Sequence, residues 1–185
     1  MKKINKIIML LMLSFNINNF AQVVPSTNNP LHAQFVGTWE YNLPGNQIFR
    51  LIIWEDSEPN PHSNEYFLRG HYELVEVNIN SETLIYTSNP PDVANGLKWP
   101  YAFGGRVNLQ DDGTYIFSAQ YREVHPTGSG LRGWSAIKRV SSCLGCPAKI
   151  SWKIERTKGL RFNRTGSPLP TDFTVPNNIE LTKVN

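Results

Sequence analysis

The sequence predicts an all-β chain whose roughly nine short antiparallel strands close into an up-and-down barrel, with a two-layer β-sandwich as the alternative. Three observations lead there. After residue 21, apolar and polar residues alternate with a period of two, and helical spacing is almost absent. Clusters of Gly, Asn, Asp and Pro punctuate the alternating runs at the intervals that turns need. The runs follow one another directly, so neighbours in sequence can pair as neighbours in space.

The first residues read as an address rather than as fold. Lys2, Lys3 and Lys6 precede an apolar run from Ile7 to Phe15, then polar Asn16, Asn18 and Asn19, then Ala21. That order is a secretory signal, and its apolar run is shorter than the about 20 residues a membrane span takes. Cleavage after Ala21 leaves residues 22–185, expected as a single domain exported to the periplasm or beyond the cell. No cysteine follows the cleavage point, which argues against a lipid anchor, and no stable membrane insertion is expected. Losing three lysines brings 18 basic residues level with 15 acidic ones. Near-neutrality argues against nucleic acid as a partner.

The strands follow in order. Phe35, Gly37, Trp39 and Tyr41 share one face of the first, opposite Val36, Thr38, Glu40 and Asn42. A second is expected near Phe49–Asp56. In EYFLRGHYEL, Tyr66, Leu68, Gly70, Tyr72 and Leu74 oppose Phe67, Arg69, His71 and Glu73. Weaker strands run near Thr83–Thr87 and Phe103–Leu109. In TYIFSAQYR, Tyr115, Phe117, Ala119 and Tyr121 oppose Thr114, Ser118, Gln120 and Arg122. Leu131–Val140 follows, then KISWKIE with Ile150, Trp152 and Ile154 on one face, then Ile179–Val184. One greasy and one wet face per strand suits an antiparallel sheet with a single buried side. LPGNQ, NINSET and QDDGTY supply turns, and Asp112-Gly113 reads as a pair that both adopt positive φ. EDSEPNPHSNE is a polar loop; SNPPDVANGLKWPY carries Trp99 on a possible lid; Thr165 to Asn178 is expected to wrap the outside.

FVGTWEY resembles the Gly-x-Trp first strand of lipocalin-like (calycin) barrels. The resemblance implies that Trp39 plugs the floor, that Gly37 permits close backbone approach, and that a late basic residue lies across the indole. Arg156 and Arg161 are the candidates for it. Signal, length and the GTWEY opening together also resemble small exported proteins of Bacteroidota-type bacteria, a likeness that implies no activity.

The inward faces are rich in tyrosine: Tyr41, Tyr66, Tyr72, Tyr86, Tyr115 and Tyr121. A buried hydroxyl without a partner costs about 1–3 kcal/mol, so either the hydroxyls reach the rim or the interior holds water or an amphipathic ligand. The expected ligand-binding set is Tyr72, Tyr115, Phe117, Tyr121 and Trp152, with Trp39 below and Trp99 above. Cys143 and Cys146 are expected to form a disulfide. His71 and Glu73 share an outward face with Arg69 and read as a solvated strand surface rather than an acid–base pair. No histidine lies in a metal-binding or nucleophile pattern, and no metal or cofactor is expected.

Charge is uneven along the chain. Residues 22–97 hold two basic and nine acidic residues; residues 98–185 hold thirteen and six. The two halves are expected to face each other, or else Lys138, Arg139, Lys149, Lys153, Arg156, Lys158, Arg161 and Arg164 make a basic face for an anionic partner. The functional expectation is a non-enzymatic protein binding a small apolar or amphipathic ligand. The alternative is an interaction module engaging a protein or glycan through the basic face or exposed aromatics.

Overall fold

A computed structural model of the chain describes residues 29–56, 65–88, 102–123, 131–140, 143–157 and 172–184. A short helix, α1 (Pro30–Ala33), precedes nine strands: β1 (Gly37–Leu43), β2 (Gln47–Glu55), β3 (Leu68–Asn78), β4 (Ser81–Thr87), β5 (Phe103–Leu109), β6 (Tyr115–Arg122), β7 (Arg132–Val140), β8 (Lys149–Arg156) and β9 (Ile179–Val184). Every expected strand is present. All pairings are antiparallel, and the last strand pairs with the first, so the sheet closes into an eight-stranded barrel with β4 as an appendage. Closure removes the sandwich alternative: there is one continuous sheet rather than two stacked layers.

The period-two pattern sets which side faces in. Gly37 and Trp39 of β1, Phe49, Leu51 and Ile53 of β2, Phe117, Ala119 and Tyr121 of β6, and Ile150, Trp152 and Ile154 of β8 are all buried. Gly37 apart, these side chains form one continuous core. Burial of this kind contributes about 25 cal/mol per Å² of apolar surface.

Two ends can be distinguished. The lower end carries α1, the start of β1, the β5–β6 hairpin, the β7–β8 loop and the end of β9. It is closed by the chain entering β1: Phe35 and Val36 are buried, and the Trp39 Nε1 donates to the Phe35 carbonyl at 2.8 Å. His32 Nδ1 meets Glu55 Oε2 at 2.5 Å, fastening α1 to the end of β2.

The upper end carries the β1–β2 and β3–β4 turns. Gly45 and Asn46 both have positive φ, 77° and 58°, so the primed hairpin turn lies here. At QDDGTY only Gly113 is left-handed, at 79°; Asp112 instead accepts hydrogen bonds from the Thr114 N–H at 2.9 Å and its hydroxyl at 2.6 Å. The expectation of two positive-φ residues there is therefore corrected: the aspartate caps the turn with its side chain.

The seam of the barrel is a fork. The Ala102 N–H donates to the Gly70 carbonyl at 2.8 Å, on the β5 side. Two residues along the same β3 edge, the Ser88 N–H donates to the Tyr72 carbonyl at 2.8 Å, on the β4 side. β3 thus changes partner between Gly70 and Tyr72, and β4 and β5 diverge above that point. Gly70 has no room for a side chain, because a Cβ there would overlap the Phe103 ring.

Candidate functional site

Of the six tyrosines expected to face inward, three gather at the upper end beside the fork. β3 contributes Tyr72, β4 Tyr86, β6 Tyr121, β8 Trp152 and β2 Phe49. Tyr72 sits between two of the others, with ring centroids 5.7 Å from Tyr86 and 6.0 Å from Tyr121. Trp152 stacks on Phe49 at 5.1 Å and meets Tyr121 edge-on at 6.2 Å. Offset and edge-on contacts of this kind add about 0.5–1.5 kcal/mol per pair beyond burial.

The polar atoms are less well served than the rings. The Tyr72 and Tyr86 hydroxyls lie 3.4 Å apart, a long hydrogen bond. The Tyr121 hydroxyl and the Trp152 Nε1 are buried, and neither finds a hydrogen-bond partner among the described residues. Their residues are 2% and 1% exposed, so solvent does not substitute for one. Burial, then the neighbouring Tyr72 and Glu123, push the Tyr121 hydroxyl far above its ordinary pKa. Burial and the hydrogen bond shared with Tyr72 do the same to Tyr86. Both act as neutral hydroxyls.

Above the cluster, residues 172–178 cross the barrel end instead of wrapping the outside as expected. Phe173 meets Tyr121 edge-on at 5.3 Å, and Val175 is buried. Glu123, only 2% exposed, anchors this segment: its Oε1 accepts from the Thr174 N–H at 2.6 Å and the Thr174 hydroxyl at 2.8 Å. Asn177 adds a second anchor, accepting from the Ile154 N–H at 2.6 Å and donating to the Ile154 carbonyl at 2.9 Å.

Of the expected ligand-binding residues, the structure therefore brings together Tyr72, Tyr121 and Trp152. Phe117 lies deeper, packed on Phe35 and Phe103. Tyr115 is at the opposite end, six residues back along β6, and does not join the cluster. Trp99 lies outside the described residues. Tyr86 is expected to face inward but not to join the binding set, and Glu123 and Phe173 are not in that set either. Tyr86 sits in a strand whose alternation is weak, and nothing in the tail marks Phe173 as an inward residue.

At the lower end the Gly-x-Trp pair finds its cation in Lys183 of β9, whose Nζ is 5.4 Å from the Trp39 ring centroid. A Cβ on Gly37 would come 2.7 Å from Lys183 Cε, and the Gly37 φ of 132° disfavours any side chain. The glycine thus makes room for the lysine that lies over the indole. Desolvation, helped by Arg139, lowers the Lys183 pKa. The assignment of Arg156 is corrected: it lies at the far end of β8, beside Gly133 of β7. Arg161 lies outside the described residues.

The outer surface bears on two further expectations. Glu40, Glu73 and Glu82 surround Arg50 of β2, with Glu40 at 2.6 Å and Glu82 at 3.1 Å, while Glu65 pairs with Arg106 of the basic half at 3.2 Å. Burial works against the Arg50 charge, but these carboxylates outweigh it and raise its pKa. His71 is not on a solvated face: it is 15% exposed, packs on Trp54, and meets Glu73 at 3.5 Å. Lys138, Lys149, Lys153 and Arg156 are exposed on β7 and β8, as a basic face requires, while Lys158 and Arg164 lie outside the described residues. Cys143 and Cys146 form a disulfide across a tight turn, with Cα atoms 5.2 Å apart.

Residues 1–97 match a family described as "Family of unknown function (DUF6705)". No curated protein and no solved structure matches the chain.

Proposed function

The chain belongs to the DUF6705 family, and on that premise we propose that it is an exported, non-enzymatic binding protein holding a small amphipathic ligand in the upper end of the barrel. The observation that carries this reading is the pair of orphaned polar atoms on Tyr121 and Trp152. Each costs about 1–3 kcal/mol unmet, and phenylalanine would fill the Tyr121 place at no such cost. Polar atoms held at that expense inside an aromatic ring cluster fit a guest that supplies the missing partners. Rings of Phe49, Tyr72 and Phe173 offer its chain the apolar contact. The closed eight-stranded barrel with a Trp-plugged lower end suits a lipocalin-like mode of binding, and the disulfide is compatible with export.

Native mass spectrometry of protein purified from the exported fraction tests the reading. A small molecule released on denaturation is expected; an apo mass together with no binding of added amphiphiles would overturn it.

A second reading is favoured by Trp134, which is 52% exposed on the outer face of β7. Exposed Arg122 and Arg132 pair directly across β6 and β7, and Lys153 lies on β8. This is a platform for an anionic glycan or protein. Binding there would weaken steeply with salt, whereas binding of a neutral guest inside the barrel would not.

A further inference from the structure

We infer that the upper site selects its guest by the head group: an amphiphile whose head presents a hydrogen-bond acceptor oxygen, received by the Trp152 indole N–H and the Tyr121 hydroxyl. The inference rests on the binding reading above and narrows it.

The argument is one of donors and acceptors. An indole nitrogen donates and never accepts, so only an acceptor satisfies Trp152. A tyrosine hydroxyl does either, so Tyr121 accommodates whatever Trp152 requires. Neither has another partner among the described residues. The two come from β6 and β8; on β7 between them Gly133, opposite Tyr121, and Ser135 are small, while Ile137 lies opposite Trp152. Ser135 is buried, and its hydroxyl reaches the Ala119 carbonyl only at 3.5 Å. Phe173 lies over Gly133, where a Cβ would come 2.9 Å from its Cζ, and so covers the polar atoms from above. A head group seated there is shielded from water, where a hydrogen bond decides more than it does on a surface. Because Tyr121 stays neutral far above pH 7, the same donors are presented across the working range.

The test is a panel of ten-carbon amphiphiles titrated into the full chain and read by tryptophan fluorescence. Decan-2-one offers only an acceptor, decan-1-ol both functions, and decylammonium only donors. Decan-2-one and decan-1-ol are expected to bind within a few-fold of each other and at least tenfold more tightly than decylammonium. Tyr121→Phe should weaken decan-2-one several-fold and reduce its advantage over decylammonium, a change of ratio that a merely loosened fold would not give. Equal binding of all three, or a preference for decylammonium, would overturn the acceptor assignment while leaving the barrel a binding protein; the second result would make Glu123 the group that reads the head. No binding of any of the three would instead overturn the binding reading itself.

Discussion

Tyr121 buries a hydroxyl that the described residues leave unpartnered, and this gives it an unusual mutational signature. Tyr121→Phe removes an unmet polar atom at nearly constant volume, so the guest-free protein should gain about 1 kcal/mol in denaturant unfolding even as the guest binds more weakly. Unchanged or lower stability would mean that the hydroxyl is satisfied without a guest. Trp39 is the opposite case, fully buried with its nitrogen bonded and Lys183 above it. Trp39→Ala should cost about 3–5 kcal/mol, and Lys183→Met about 0.5–2 kcal/mol, both read from thermal or denaturant melts. The indole and its glycine were legible in FVGTWEY; the cation was not. Lys183 is one of thirteen basic residues after residue 97. Only the register that sets it opposite Trp39 singles it out.

Strands were legible as elements because a half-buried sheet enforces alternation, and alternation survives in the chain as pattern. Their partners were not. The alternation of β3 says which residues face in, but not that its edge serves β5 below Gly70 and β4 above Tyr72. That change of partner gathers Tyr72, Tyr86 and Tyr121, so the site was half visible: the residues could be named and their grouping could not. Tyr115 shows the limit, since it shares a face with Tyr121 yet lies at the other end of the strand. Two predictions belong to this scale. On the outer face of β1–β4, the hydrogen bond from His71 holds the Glu73 carboxyl below its ordinary pKa. A depressed folded-state value gives stability that is present above the ordinary carboxylate range and lost as pH falls through the lowered value. Glu73→Gln should therefore lower stability at neutral pH and flatten the acid limb of the stability–pH curve, the two proteins converging at low pH. In the β7–β8 loop the disulfide spans a tight turn, so replacing both cysteines with serine should cost about 2 kcal/mol and leave the fold intact by circular dichroism.

At the scale of the molecule, the barrel exists because β9 joins β8 to β1. Deleting residues 179–185 would bare two strand edges and uncover Trp39, and the expected result is loss of a single cooperative melt. A cooperative truncated protein would contradict the closure. Closure also gives the two ends different tasks. The lower end is sealed by Phe35, Trp39 and the His32–Glu55 contact. The upper end keeps its orphaned polar atoms beneath a segment anchored by Glu123 and Asn177. The central claim, that a guest completes the upper end, is tested most directly by the indole N–H resonances of ¹⁵N-labelled protein titrated with decan-1-ol. The Trp152 signal should move downfield and saturate as its N–H gains an acceptor, while that of Trp39, already bonded to Phe35, stays in place. A Trp152 signal that does not move at saturating alcohol would contradict the account.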